Sequence, residues 1–311
     1  MAPTRRTGSF ALIALAVAAT PLGDGALRPV RAEPAATEAK KPDAPTCDRA
    51  AFRVVVDVGH TAEVPGAKSA RGQYEYDFNL RLAKLIEEQL THAGFEKTVL
   101  LVTEGKTRQG LEERVSRANG LSADLFLSIH HDSVPDRFLQ KWEHEGEERS
   151  YSDRFKGHSL FVSTSNGDYG SSVAFAKLLG LQLKTQGLQY TRHYTEKFMG
   201  HRQRILVDGG AGVYRYDQLI VLKKTHMPAV LLEAGSIINR DEELAMESPE
   251  RQGQISAAVL DAVDRFCALR RPGKPTPVAR RPAPAVASAA KPTYRPAAAA
   301  TLPLSTHKRT Q

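Results

Sequence analysis

Between residues 53 and 269 the chain alternates between two periodicities, and this alternation constrains its fold more than any other feature. Short apolar runs, several of them β-branched, recur at "RVVVDV" (53–58), "TVLLVT" (98–103), "LFLSI" (125–129), "SLFVST" (159–164), "LIVLK" (219–223) and "AVLLEA" (229–234). Several are apolar at successive positions instead of alternating, as strands covered on both faces are. Helical patterns fall between them: "EYDFNLRLAKLIEEQLTHAG" from Glu75 with Gly94 as a stop, "GLEERVSRAN", "SSVAFAKLLGLQLKTQ" and "ISAAVLDAVDRFCAL". In the first, Phe78, Leu82, Leu85 and Ile86 share a face. The alternation predicts an α/β fold, a three-layer sandwich with a largely parallel sheet flanked by helices.

The ends of the chain read differently. Arg5 and Arg6 precede the apolar stretch "FALIALAVAAT", and "PVRAEP" places Val30 and Ala32 for cleavage, so residues 1–32 read as an export signal. The stretch is shorter than the roughly 20 residues of a membrane span. Residues 33–46 read as a linker. From Arg271 to Gln311 there are eight cations (Arg271, Lys274, Arg280, Arg281, Lys291, Arg295, Lys308, Arg309) and no Asp or Glu, which equals the whole net charge of +8. This Pro- and Ala-rich tail has too few large apolar residues to offset the entropy of ordering, and is predicted to be disordered. Export removes nucleic acid as its natural partner and leaves an anionic envelope surface. The two cysteines, Cys47 and Cys267, bracket the predicted folded region, 47–270, and an oxidising compartment would let them pair.

In open sheets of this kind ligands sit beyond the carboxyl ends of the strands. After the first strand comes Gly59-His60; after the third come His130, His131 and Asp132; Glu233 lies near the end of the last. The helix after the first strand opens with Glu75 and Asp77. Zinc takes neutral imidazoles and a carboxylate, three protein ligands in a catalytic site, and a further carboxylate is then wanted as general base. Each member also has a purely structural reading: a lone His can cap a strand end, and Glu75 can complement a helix dipole. Glu233 resists it, because a carboxylate after three apolar residues is costly unless partnered or used.

Across about residues 53–267 the chain resembles the zinc-dependent N-acetylmuramoyl-L-alanine amidases, which trim bacterial peptidoglycan. The resemblance rests on "DVGH", "PGAKSARGQYEYDFNLRLAKLI", "LEERVSRAN", "ADLFLSIHHD", "GHSLFVST" and "MPAVLLEAGSIINRDEE". It implies zinc as cofactor, His60, Glu75 and His130 as its ligands, Glu233 as the catalytic glutamate, and metal-assisted hydrolysis of the amide between N-acetylmuramic acid and L-alanine. Asp57 is expected to support the site from outside the ligand set. Glu63 or Asp57 could be mistaken for ligands; adjacent strand residues point to opposite faces, so His130 and His131 are not expected to share one metal, and His130 is the one that aligns with the family's ligand. Departures from the family pattern are "TAEVPGA" in place of a glycine-rich turn and "EAGSIIN" in place of a more aromatic stretch.

Two stretches stand apart from this pattern. Residues 134–157, with the single Trp and a dense charge run, and residues 186–216, with Tyr190, Tyr194, Tyr214, Tyr216, His193 and His201, could each form a lid or a sugar-binding wall, with a solvated loop the preferred reading for the charged stretch. The expected partner is peptidoglycan, met by a monomer in the periplasm or outside the cell, with room for a protein activator. The competing functions are a zinc peptidase acting on the peptide part of the same polymer and a non-catalytic wall-binding protein on the same fold.

Overall fold

The computed structural model describes residues 47–270; the stretches expected to be an export signal, a linker and a basic tail lie outside the described residues. In chain order the elements are β1 (Val54–Val58), α1 (Glu75–His92), β2 (Val99–Leu101), α2 (Thr107–Gly120), β3 (Leu125–Asp132), β4 (Gln140–His144), β5 (Glu147–Tyr151), β6 (Ser159–Val162), α3 (Tyr169–Thr185), β7 (Ile205–Asp208), β8 (Val213–Arg215), α4 (Ile220–Lys224), β9 (Ala229–Ser236), α5 (Arg240–Glu247) and α6 (Pro249–Leu269). Seven strands form one sheet in the order β2-β1-β3-β9-β6-β8-β7. The pairs β1·β2, β1·β3, β3·β9 and β6·β8 are parallel, while β6·β9 and β7·β8 are antiparallel. The sheet is therefore mostly parallel, and the carboxyl ends of β1, β3 and β9 share one edge.

The apolar runs succeed as strands because both faces are covered. Val54, Val56 and Val58 of β1, with Leu125, Leu127 and Ile129 of β3, pack under α1, α3 and α6. Val55 and Phe126 face the other way, into a second layer with Val115 of α2 and Leu222 of α4. Each fully buried side chain of this kind stabilises the fold by about 1.5–3 kcal/mol. On α1 the buried stripe is Phe78, Leu82, Ile86 and Leu90, spaced by four, with Leu85 at its half-buried margin. Gly94 ends the helix at φ 95°. Gly180 of α3 permits a close approach: a Cβ there would lie 2.0 Å from the Ala211 carbonyl oxygen.

Cys47 and Cys267 are bonded, with Cα atoms 5.1 Å apart, and tie the entry to β1 onto the last turn of α6. Among the described residues no helix is long and apolar enough to cross a membrane.

Three expectations are corrected. "LIVLK" is no strand; it forms the one-turn α4, which buries Val221 and Leu222 together and is closed by Thr225 Oγ1 donating to the Val221 carbonyl at 2.8 Å. A short apolar run suits either element, and periodicity cannot separate them. Residues 134–157 are solvated as expected over the β4–β5 hairpin, but they are not a loop, since they hold those two paired strands. Trp142 pins it down, donating Nε1–H to the Ala70 carbonyl at 3.0 Å with Arg71 and Arg240 over its ring. Among the tyrosines of 186–216, Tyr190 lines a cleft, but Tyr194 and Tyr214 do not. Tyr194 and Tyr214 are buried against Phe161 beneath β6 and β8, because this half of the sheet has no long helix on that face and fills the space with rings.

Candidate metal centre

Three elements bring His60, Glu75 and His130 together. His60 follows the carboxyl end of β1 and sits in the left-handed backbone region at φ 66°, which turns its ring back over the sheet edge. Glu75 opens α1, and His130 lies near the end of β3. The His60 Nε2–Glu75 Oε2 and His130 Nδ1–Glu75 Oε1 distances are both 3.0 Å. One ligand atom from each of the three lies within 4.8 Å of the others, and among the described residues no other group of His, Cys, Asp and Glu does this.

The cradle is tight. A Cβ on Gly59 would stand 2.4 Å from His130 Nε2, and one on Gly66 would stand 2.5 Å from Glu75 Oε2. Both positions need glycine so that the backbone can pass beneath the donor atoms. Two imidazoles and a carboxylate at this separation are a donor set that suits zinc. Burial would push the Glu75 carboxyl up, but hydrogen bonds and charge from His130 and His60 override it and hold it well below the usual carboxylate range.

Supporting residues surround the trio. Asn79, one turn along α1 from Glu75, donates to the Gly59 carbonyl (3.2 Å) and to Glu75 Oε1 (3.3 Å), while its Oδ1 meets His131 Nδ1 at 2.8 Å. His131 thus points to α1 and Phe78, away from the ligand set, as strand alternation predicts. Burial lowers its pKa to about 3. Arg114 of α2 donates to the His60 carbonyl, to Thr103 Oγ1 at 2.7 Å, and lies 3.6 Å from Asp57 Oδ2. Asp57 also accepts from Ser128 Oγ at 2.7 Å. Burial raises its pKa, against the pull of Arg114. Its contribution to the site runs through Arg114. Glu63 is exposed and accepts from the Gly105 amide, and Asp77 is exposed on α1; neither joins the cluster.

Glu233 sits on β9, in register with His130 across the β3·β9 pair. Its Oε2 is shut off from solvent and has no hydrogen-bond partner among the described residues. Burial, then the neighbouring Asp132 and Glu75 charges, push its pKa well above the ordinary value. Asp132 accepts from the Tyr194 hydroxyl at 2.7 Å, with Arg202 Nη2 and His193 Nε2 each 3.6 Å away. Burial raises Asp132 to about 6 despite Arg202. Arg114, Asn79 and Arg202 were not singled out from the sequence, and Tyr194 was read there only as a lid or wall aromatic. For the first two a signal existed, because both belong to the quoted motifs "LEERVSRAN" and "DFNLRLA".

This arrangement can bind a metal ion at an open edge and set a carboxylate, one strand away, to move protons beside it. Residues 54–265 match the family model described as N-acetylmuramoyl-L-alanine amidase. A relative from Buchnera aphidicola subsp. Baizongia pistaciae, named for the same activity, is 23% identical over 216 residues, which cover 68% of this chain and 95% of the relative. The catalytic domain of CwlV from Bacillus (Paenibacillus) polymyxa var. colistinus superposes with a TM-score of 0.51 at 26% identity, covering 70% of this chain and 99% of that domain. Ami1 from Mycobacterium smegmatis shares the fold, with a TM-score of 0.54 at 20% identity over 71% of this chain and 99% of its own.

Proposed function

The chain belongs to the N-acetylmuramoyl-L-alanine amidase family, and on that premise we propose that it is a zinc-dependent hydrolase of the amide joining the lactyl group of N-acetylmuramic acid to L-alanine in peptidoglycan. The observation that carries this reading is the convergence of His60, Glu75 and His130, with the unpartnered Glu233 carboxylate in register on the next strand. His60, Glu75 and His130 would hold the ion. When bound, zinc supplies a Lewis acid that acidifies water to near-neutral pKa and polarises the scissile carbonyl.

The chain's own residues do the rest. Glu233 takes the proton of the attacking water on its free oxygen and returns it to the leaving amine. The C–N bond breaks as a C–O bond forms, giving a lactyl carboxylate and a peptide that begins with L-alanine. Arg114 fixes the backbone of His60, and Asn79 aligns Glu75 with the turn at Gly59.

Residues 47–270 would be the catalytic domain, preceded by the export signal and linker and followed by the basic tail. The family's substrate supports a location on the exported side of the envelope, in the periplasm or outside the cell. The Cys47–Cys267 bond suits that compartment, and the tail's cations suit an anionic surface.

Digestion of purified peptidoglycan with and without a chelator, followed by mass identification of the products, tests the proposal. Peptides with an L-alanine amino terminus and intact glycan, lost with chelator and restored by zinc, are expected. Cuts within the peptide, or digestion indifferent to chelator, would overturn it.

A further inference from the structure

The β4–β5 hairpin, part of a stretch that stands apart from the family pattern, has no role in the reaction as described. Its alternation explains how it packs. In "QKWEH" and "EERSY" every second side chain shares a face, and the register puts Trp142, His144, Arg149 and Tyr151 on one face and Lys141, Glu143, Glu148 and Ser150 on the other. The second face carries no apolar side chain, so only the first gains by packing. Trp142 is at its centre, stacked on His144 and edge-on to Tyr151, with ring centroids 5.0 and 5.9 Å away.

The indole packs against the segment that leads into Glu75. Residues 67–75 form a closed loop: the Glu75 amide donates to the Ala67 carbonyl at 2.9 Å, and the Ala67 amide donates to Glu75 Oε2 at 3.3 Å. The base of the loop therefore holds both the main chain and the carboxylate of Glu75. On its far side Ala70 is fully buried, and two other elements take its backbone groups. Its amide donates to the Ile237 carbonyl at 2.8 Å, and its carbonyl accepts from Trp142 Nε1 at 3.0 Å. The Arg71 guanidinium lies 5.5 Å from the Trp142 ring centroid and donates to Glu243 Oε2 at 2.6 Å. Gly72, at φ 95°, leaves room for the hairpin, since a Cβ there would stand 2.5 Å from Arg149 Nη1.

The same hairpin grips the turn after β9, the strand that carries Glu233. Arg240 lies over the rings of Trp142 and Tyr151, at 5.1 and 3.9 Å, and pairs with Asp153 just beyond the hairpin. Its carbonyl accepts from Arg71 Nη1 at 2.8 Å, and the Ser152 amide donates to the Ile238 carbonyl at 2.8 Å. Trp142 thus meets two arginines, one from the loop before Glu75 and one from the start of α5, and an aromatic face holds such cations in place. We propose that the β4–β5 hairpin is a clamp on the metal centre and that Trp142 is its positioning residue, fixing loop 67–75 and through it the Glu75 carboxylate. The proposal rests on the zinc reading of His60, Glu75 and His130 and adds what holds one of those ligands in place.

The test compares the full-chain parent with three variants. Trp142→Phe keeps a ring and removes the donor, Trp142→Ala removes both, and Cys47→Ser/Cys267→Ser weakens the fold at the end of β1 opposite His60. Zinc affinity is measured by competition with a chromogenic chelator, below the unfolding transition of each protein. Removing a direct partner of a metal ligand costs about 10- to 100-fold in affinity, and Trp142 acts one step further out, so Trp142→Ala is expected to lose about tenfold. Trp142→Phe should lose a smaller part of this, and the disulfide variant should bind zinc as the parent does. With zinc in excess, both Trp142 variants should recover most of their hydrolysis of a soluble muramoyl peptide. A folded Trp142 variant that binds zinc as tightly as the parent, or an equal loss in the disulfide variant, would overturn the proposal. Zinc affinity that depends on Trp142, in a parent that hydrolyses no muramoyl peptide, would uphold the clamp and overturn the amidase reading instead.

Discussion

The guanidinium of Arg114 donates to the main-chain carbonyl of His60, the residue that carries an imidazole into the candidate metal site from a left-handed backbone conformation. A non-glycine residue held at positive φ persists only when its surroundings over-determine it. Here Arg114 does so, from a side chain that is itself buried beside Asp57. A residue outside the donor set thereby sets where one donor atom stands.

Arg114→Ala is therefore expected to weaken zinc binding by about 10- to 100-fold, the range seen when a partner of a metal ligand is removed. It should also destabilise the fold by about 3–5 kcal/mol, because buried Asp57 is left without its cation. Zinc competition against a chromogenic chelator, with denaturant unfolding alongside, measures both. Unchanged affinity in a folded variant would show that His60 holds its position unaided.

Glu233→Gln preserves shape while removing the proton acceptor. It is expected to keep zinc at the parent's stoichiometry and lose about 10²- to 10⁴-fold in hydrolysis of peptidoglycan. Metal content by mass spectrometry and release of soluble peptide check the two halves. Digestion at the parent's rate would reassign the base.

The Cys47–Cys267 bond spans 220 residues of sequence. Replacing both cysteines by serine should cost roughly 5 kcal/mol or less in the chain-entropy account of loop closure. Denaturant midpoints of the oxidised parent, the reduced parent and the double variant should place the last two together and below the first. Coincidence of all three would mean that the bond constrains nothing the fold does not already hold.

Burial lowers His158 to about 4, with Arg251 adding to the effect, whereas an unfolded chain titrates near 6.5. The unfolded state thus binds a proton before the folded state does. The stability arising from this site is intact above pH 6.5, falls as pH drops, and levels off near pH 4, for a loss of about 3 kcal/mol. His193, lowered to about 4 by burial, acts in the same direction. Comparing unfolding free energies at pH 7.5 and 5 for the parent and His158→Gln should show a smaller drop in the variant. Equal drops would mean that this imidazole titrates normally when folded.

The layered α/β fold and the core of the site could be read from the chain because both depend on local pattern. Runs such as "VVVDV" must be covered on both faces, α1 repeats its apolar side chains every fourth residue, and ligands collect at the carboxyl ends of parallel strands. His60, Glu75, His130 and Glu233 stood out as candidates for that reason, whereas the choice of His130 over His131 came from the family resemblance, strand alternation saying only that the two would not share one metal.

What tertiary structure alone decided depends on contacts between distant segments. The reversal of β6 beside β9 brings residues 154–158 to Glu233, and no local periodicity encodes a strand's direction. Arg114 reaches His60 across 54 residues and Asn79 reaches His131 across 52, each through a single hydrogen bond that leaves no periodic trace. Trp142 and Tyr194 looked like surface aromatics suited to sugar, yet one pins a hairpin and the other is buried with its hydroxyl on Asp132. Residue type and spacing determine which element forms and which chemistry is available. Which buried polar groups meet is settled only when the layers pack, because leaving one unpaired costs about 1–3 kcal/mol and the partner that removes this cost comes from a distant segment.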